Sequence, residues 1–441
     1  MDFNIQSILI YIQYLFKLLL IFLTKYGIFY NSIKKIRVGF YTYSLKGGGT
    51  ERVTSIFVNY LSIESEYDIF VFSKKYKEKN EFVIPNTIKR IAILGNEFRS
   101  RKKLKKQIMI KKIDVFIYQF PDGKDIKMLN KLKNVKIIIY SHFCFLTWIY
   151  YYDNHIFKEL YDSFRESKYI VSLVPFENDY IFKKWGIKSI FMNNLITYEY
   201  DKINPSNLSA KIILMIGRAA DKFKRFDLGI ISMKYIIEEI PDCEMKIMSN
   251  INNICVFDEL VKTLNLENKV KFIGYTSKPE QYFVNASLHI FPTISESFGL
   301  VLSETKIFGI PNILTGLDFV TLSEGGTVII YDDNPETIGK EAIKILIDNN
   351  YRKKLGNEAR ESMKKFNNKL TIKKWIKLIN SIYNGDEYYI NLTKQEHNIL
   401  DIDAINILKN QTKLLQKREP FYKNITTQLL LNYTYLTKLL S

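Results

Sequence analysis

Two carboxylates stand eight positions apart in Glu296-Ser-Phe-Gly-Leu-Val-Leu-Ser-Glu304, around a glycine that reads as a helix start. If the stretch were helical throughout, a rise of about 1.5 Å per residue would separate the two backbones by roughly 12 Å. That is too far for one acid and one base acting on a single bond. Paired glycosidase carboxylates lie about 5–5.5 Å apart in retaining enzymes and about 6.5–9.5 Å apart in inverting ones. The spacing instead suits two grips on opposite ends of one elongated ligand, and a sugar joined through a diphosphate to a nucleoside has that length. Between the glutamates, Phe298, Gly299 and Leu300 would offer backbone N–H groups and the positive end of a helix dipole to phosphate oxygens. On spacing alone, two glutamates on a solvated helix face remain the competing reading.

The elements around the motif are the ones that would hold it in place. Upstream, Leu288-His-Ile-Phe-Pro292 is a short apolar run ended by proline, and downstream Gly309-Ile-Pro-Asn-Ile-Leu-Thr-Gly316 reads as a helix stop followed by a second buried strand. Strand, carboxylate-bearing loop, helix and strand is the order that puts ligands at the carboxyl ends of parallel strands. The same alternation runs through most of the chain. Ile36–Tyr43, Asp68–Phe72, Ile88–Leu94, Asp114–Tyr118 and Val135–Tyr140 read as strands, with Thr50 as N-cap of a helix through Leu61. A second set follows at Lys211–Ile216, Glu244–Met248, Val270–Ile273, Leu288–Phe291, Pro311–Leu314 and Thr327–Ile330. Asn, Pro and Ser accumulate at Asn193–Leu208, where one α/β unit gives way to the next. At 441 residues the chain exceeds what one hydrophobic core usually supports.

With these residues in view, the 296–304 stretch resembles the E-x7-E signature of glycosyltransferase family 4, whose members have the GT-B fold of two Rossmann-like domains facing a central cleft. Ile212-Ile-Leu-Met-Ile-Gly217-Arg218 and Lys224-Arg-Phe-Asp227 resemble the strand–Gly-Arg and Lys-Gly-x-Asp segments of that family, with Arg225 in place of the usual glycine. Gly48-Gly49-Thr50-Glu51-Arg52-Val resembles its glycine-rich first loop. The similarity covers roughly residues 36 to 383, and a C-terminal amphipathic helix at Leu370–Tyr383, with Trp375, corresponds to one that crosses back onto the first domain in the family.

The resemblance implies a retaining, metal-independent hexosyltransferase without a cofactor, using a nucleotide diphosphate sugar as donor. The leaving diphosphate would accept the acceptor hydroxyl's proton on the face it departs from, so no dedicated base is required. Glu296 would bind sugar hydroxyls and Glu304 the ribose. Arg218 and Lys224 would neutralise the leaving group, arginine holding phosphate bidentately and lysine as a point charge. Lys222 and Arg225 stand close by, and motif order favours Lys224. His142 ends the strand Val135–Tyr140, where the family often has a histidine reaching the transferred sugar; a core histidine beside Phe143 and Phe145 is the alternative. Gly48 and Gly49 read either as a flexible turn or as a tight loop approaching the donor diphosphate.

Several other chemistries are disfavoured by the residues themselves. A dinucleotide fingerprint would need a third glycine where Arg52 stands, so a nicotinamide cofactor is not expected. Asp401-Ile-Asp403 mimics a metal-binding Asp-x-Asp but lies in the tail rather than after a strand. His289, inside an apolar strand, reads as structural. Cys144, Cys243 and Cys255 are odd in number and lack metal spacing, which implies a reducing compartment without a disulfide framework. Arg99–Lys112 holds eight basic residues, yet no nucleic-acid module accompanies it, so nucleic acid is not an expected partner. A solvated helix face or contact with anionic lipid remains. After Glu244–Met248 the chain reads Ser249-Asn-Ile-Asn-Asn where the family has a glycine-rich loop.

The N-terminus bears on location. Ile5 to Tyr30 is largely apolar, and its polar members Gln6, Gln13, Lys17 and Thr24 fall on one narrow helical stripe. In-plane membrane contact is the preferred reading over a span, which would put Lys17 near mid-bilayer at about 2.5–3.5 kcal/mol, and over packing on protein. A cleaved signal peptide is not expected, because Met1-Asp-Phe-Asn lacks a basic start. A net charge of +18 suits polyanions such as anionic lipid headgroups, nucleotides or nucleic acid without choosing among them, and beside the apolar N-terminus an anionic membrane surface is the expected partner. The expected layout is an apolar membrane-associated helix at 1–33, an acceptor-side domain at 34–196, a nucleotide-sugar domain at 197–383 and a helical extension at 384–441. The expected enzyme is cytoplasmic, peripheral on the inner membrane face, and passes sugar to a lipid-linked or glycan acceptor in bacterial surface-polysaccharide assembly. The alternatives are a sugar-nucleotide epimerase or phosphorylase on the same fold, or an inactive membrane-bound partner subunit.

Overall fold

The computed structural model describes Leu15 and residues 34–144, 154–219, 221–249, 255–276, 278–316 and 321–385. The expected N-terminal apolar helix, apart from Leu15, and nearly all of the C-terminal extension lie outside the described residues. Among the described residues no helix is long and apolar enough to cross a membrane.

The first unit runs β1 (Ile36–Thr42), α1 (Gly49–Leu61), β2 (Tyr67–Ser73), β3 (Lys89–Ala92), α2 (Glu97–Ile110), β4 (Val115–Tyr118), α3 (Gly123–Asn130), β5 (Lys136–Ser141), α4 (Asn154–Arg165), β6 (Tyr169–Ser172), α5 (Pro175–Trp185) and β7 (Ile190–Phe191). The second runs β8 (Ile212–Ile216), α6 (Phe226–Glu239), β9 (Glu244–Met248), α7 (Cys255–Thr263), β10 (Val270–Phe272), α8 (Glu280–Phe283), β11 (Leu288–Phe291), α9 (Leu300–Ile307), β12 (Asn312–Thr315), β13 (Thr327–Ile330), α10 (Pro335–Ile347), α11 (Asn349–Ser362) and α12 (Asn368–Asn384). Every strand pairing is parallel, in the orders β3-β2-β1-β4-β5-β6-β7 and β10-β9-β8-β11-β12-β13. These are the two Rossmann-like domains expected from the alternating pattern.

In each sheet the strand order reverses once, between β1 and β4 in the first and between β8 and β11 in the second. Helices leave to opposite faces there, and the divergence opens a crevice at the carboxyl edge. The loops after β1, β8 and β11 carry the glycines, the basic pair and Glu296, so both switch points bear the sequence motifs.

Three boundaries differ from the sequence reading. Thr50 is not the N-cap of α1: Gly48 holds that position in extended backbone, and Thr50 sits inside the helix, its carbonyl accepting from the Thr54 hydroxyl at 2.8 Å. The 296–304 stretch is helical only from Leu300, so the rise-per-residue separation does not apply to Glu296. Strands β6 and β7, four and two residues long, have no counterpart in the sequence reading.

The helix at the end of the second unit does return to the first. Trp375 of α12 is fully buried, with ring centres 4.9 Å from Phe57 of α1 and 4.8 Å from Tyr140 of β5. Tyr67 of β2 donates to Asn380 of the same helix at 2.7 Å. One apolar core therefore runs from β1 and α1 through Trp375 to Phe298 and Leu302. Cys144 and Cys243 are buried, and burial raises the Cys243 thiol to about 12.

Candidate active site

The loops after β8 and β11 are tied together by backbone. The Phe223 carbonyl accepts from the Ile294 N–H at 2.9 Å and the Thr293 hydroxyl at 3.0 Å. This strap brings Lys224 onto Glu296, its ammonium donating to one carboxylate oxygen, and places that ammonium 5.4 Å from the Phe291 ring centre. Arg218 is more open: its side chain is 78% exposed and donates to Asp221 at 3.1 Å.

Glu296 precedes a turn that only glycine makes without strain. Gly299 is the N-cap of α9 at φ 77°, and a Cβ there would lie 2.9 Å from the Leu302 side chain. With no capping side chain, the N–H groups of the first turn of α9 have no partner inside the helix. Phe298 is buried, its ring centre 5.6 Å from that of Phe366. Leu300 begins the helix, and Glu304, one turn on, is 5% exposed.

The first domain meets this edge at several places, three of them at residues singled out from the sequence. Gly49 of the glycine loop comes up to Leu300: a Cβ added to it would lie 3.8 Å from the leucine side chain. The Glu51 carboxylate folds back over Gly48 and would have to swing aside for a Cβ there. Burial raises the Glu51 pKa, offset in part by a backbone hydrogen bond and by the charge of Arg218 in the other domain. At the end of β5, the His142 carbonyl accepts from the Ser297 hydroxyl at 3.0 Å. Its ring centre is 4.1 Å from that of Tyr140, and its Nε2 is sealed from solvent with no hydrogen-bond partner among the described residues. Burial lowers the imidazole to about 3, so it is neutral at ordinary pH. The third meeting is an ion pair, Arg52 Nη1 to Glu304 Oε1 at 2.8 Å.

All ten residues singled out from the sequence thus lie at or beside the facing carboxyl edges of the two sheets. Arg52, Thr197 and Ser297 complete the contacts and were not read as site residues. Ser297 lies inside the motif; Thr197 carries no sequence signal. Gln119, just after β4, is also new: its amide donates to Thr54 at 2.8 Å while its buried carbonyl oxygen has no hydrogen-bond partner. Arg225 is fully buried. It occupies left-handed backbone at φ 51°, the reason glycine suits that position, and its buried guanidinium reaches Asp333 at 2.7 Å and Asp227 at 3.7 Å. His289 is fully buried, its Nδ1 2.8 Å from the Asn312 side-chain oxygen, and its lowered pKa of about 4 comes from that burial. Residues 250–253, where the glycine-rich loop was missing, lie outside the described residues. Among the described residues no three His, Cys, Asp or Glu side chains gather as metal ligands.

Two facing parallel sheets with motif-bearing switch points define the GT-B class of glycosyltransferase folds. Within it, residues 197–362, most of the second domain, match the family model described as "Glycosyl transferases group 1". Among curated proteins, the chain is 28% identical over 158 residues to N-acetyl-alpha-D-glucosaminyl L-malate synthase of Bacillus anthracis, covering 35% of this chain and 41% of that protein. It is 26% identical over 200 residues to the capsular polysaccharide biosynthesis glycosyltransferase CapM of Staphylococcus aureus, covering 44% of this chain and 50% of that protein. The matched region thus spans half or less of these relatives' length. Among solved structures, sucrose-phosphate synthase from Thermosynechococcus elongatus superposes with a TM-score of 0.68 at 15% identity, covering 80% of this chain and 100% of that one. A TarM variant of S. aureus in complex with fondaparinux, alpha-GlcNAc-glycerol and UDP superposes at 0.61 and 13% identity, covering 79% of this chain and 100% of that one.

Proposed function

We propose that this protein is a retaining glycosyltransferase that moves a hexose-type sugar from a nucleotide diphosphate donor to a lipid-linked or glycan acceptor. The observation that carries the reading is the ion pair of Lys224 and Glu296 at the carboxyl edge of β8 and β11, beside a helix start that the glycine loop faces. In this reading the diphosphate draws Lys224 and Arg218 onto its oxygens, with the first turn of α9 adding N–H donors. Glu296, released from Lys224, holds sugar hydroxyls, and Glu304 holds the ribose. His142, neutral and with Nε2 unpartnered, receives a hydroxyl hydrogen bond from the transferred sugar. The departing phosphate takes the acceptor's proton, and positive side chains carry the developing charge in place of a metal or cofactor.

Residues 1–33 and the basic helix α2, with Phe98, Met109 and Ile110 exposed among its lysines and arginines, would keep the enzyme at the cytoplasmic face of an anionic membrane. The name of the CapM relative supports bacterial surface polysaccharide as the product class. The deciding experiment is donor turnover: the full chain incubated with UDP-, GDP- and ADP-sugars, with and without lipid acceptors, followed by the anomeric configuration of the product. Nucleoside diphosphate release with retained configuration, persisting in excess chelator, is expected. Inversion, epimerised donor or a folded chain inert to every donor would overturn the reading.

A further inference from the structure

Arg52 of α1 and Glu304 of α9 join the two domains at the proposed nucleotide end of the donor. The Arg52 side chain is 16% exposed and that of Glu304 is 7% exposed. Arg52 Nη1 donates to Glu304 Oε1 at 2.8 Å, and the same oxygen accepts the Thr197 hydroxyl at 2.7 Å. A carboxylate oxygen has two lone-pair directions, so two such donors fill Oε1 and leave Oε2 as the atom able to meet a ligand. Arg52 is itself braced, its guanidinium carbon 4.9 Å from the Phe82 ring centre. Thr197 belongs to the segment between β7 and β8, so the clamp draws on both domains and on the connection between them.

We propose that Arg52 and Thr197 are positioning residues for the donor ribose: they fix Glu304 by one carboxylate oxygen and present the other to the ribose hydroxyls. Because Arg52 comes from the opposite domain, the ribose grip is complete only when the two domains touch as they do here. Domain contact then selects ribonucleotide over deoxyribonucleotide. The inference rests on the assignment of Glu304 to the ribose made above.

The test reads ribose preference rather than activity. Calorimetry of the full chain with UDP, GDP, ADP and CDP selects the tightest diphosphate, and its 2′-deoxy and 3′-deoxy forms give the preference as a ratio of dissociation constants. The unaltered chain should favour the ribo form by about tenfold, as expected for a hydrogen bond to a charged group. Arg52→Ala and the isosteric Thr197→Val should each cut that ratio about threefold or more, with Arg52→Lys losing less than Arg52→Ala. If the clamp is merely a structural tie, Arg52→Ala lowers the melting temperature and weakens ribo and deoxy forms alike, with the ratio unchanged. That result overturns the proposal, and an unchanged ratio in Thr197→Val does so even where Arg52→Ala fails to fold. Failure of the underlying assignment looks different: Glu304→Gln keeps the full ribose preference, or no diphosphate binds, and either outcome removes the clamp's purpose as well.

Discussion

Lys224 and Glu296 neutralise each other at the carboxyl edge of the second sheet, each side chain 15% exposed. A pair this sheltered leaves an unmatched charge when one member is lost. The donor is therefore expected to exchange partners, phosphate taking Lys224 and sugar hydroxyls taking Glu296. Lys224→Ala should weaken free nucleoside diphosphate by about 1.5–3 kcal/mol, the range for hydrogen bonds to charged groups. Arg218→Ala should fall at the low end, since its exposed side chain is screened by water. Calorimetry reads both, and unchanged affinity in the two variants removes them from the phosphate site.

Arg225 sets two effects against each other. Replacing it by glycine relieves left-handed backbone worth about 1–2 kcal/mol. It also removes the guanidinium that lies 3.7 Å from the fully buried Asp227 and 2.7 Å from Asp333. Breaking a buried pair costs about 3–5 kcal/mol, so Arg225→Gly should be less stable by about 2–3 kcal/mol despite restoring the residue the family usually has. Urea unfolding measures the balance; a more stable variant would show the ion pairs to be dispensable.

Trp375 fastens α12 to the first domain. Trp375→Ala opens a cavity against Phe57 and Tyr140 and should cost about 3–5 kcal/mol. Proteolysis should then cut near the start of α12, at Phe366–Asn368, before it cuts elsewhere. Cleavage confined to other segments would show that the helix holds without its tryptophan.

Stability should fall on mild acidification. His289 and His142 titrate near 4 and near 3 in the folded chain because burial disfavours their charged forms, against about 6.5 when unfolded. Between those values the unfolded state holds more protons, so stability declines as pH falls below about 6.5 and is level with respect to these groups above about 7.5. At pH 5 His289 alone should account for about 2 kcal/mol. Melting curves from pH 7.5 to 5 test this, and His289→Gln should flatten the slope; an unchanged slope would place the acid sensitivity elsewhere.

Much of the fold was legible because strands covered on both faces read as apolar runs. Val135–Tyr140 gave away β5 to within a residue, whereas β7 has only Ile190 and Phe191 and no run to see. The helix start at Gly48 was misplaced to Thr50 because residue type favours a threonine cap, whereas the helix begins two residues earlier, at an N-cap with no capping side chain. Within the candidate site, the two glutamates stood out by their spacing, and Arg218 and Lys224 by resemblance to the family's segments. Arg52 and Glu304 were not legible as a pair, since 252 positions separate them and only the packing of the two domains makes them neighbours. Gln119 had no signal at all, its orphaned oxygen being a property of burial.

Glu296 and Glu304 should give different kinetic signatures, because they face different surroundings. Glu304 is fixed by Arg52 and Thr197, and a ribose contact is alike in ground and transition states. Glu304→Gln should therefore weaken donor and free diphosphate together while turnover of bound donor changes little, the pattern of uniform binding. Among the described residues Glu296 is held through Lys224, and in the proposed reading the diphosphate draws that lysine away, leaving the carboxylate to tighten on the sugar as charge develops at the anomeric carbon. Glu296→Gln should lower kcat by about 10²-fold or more with little change in diphosphate affinity. Equal profiles for the two variants, or normal turnover in Glu296→Gln, would show that the motif does not grip opposite ends of one donor.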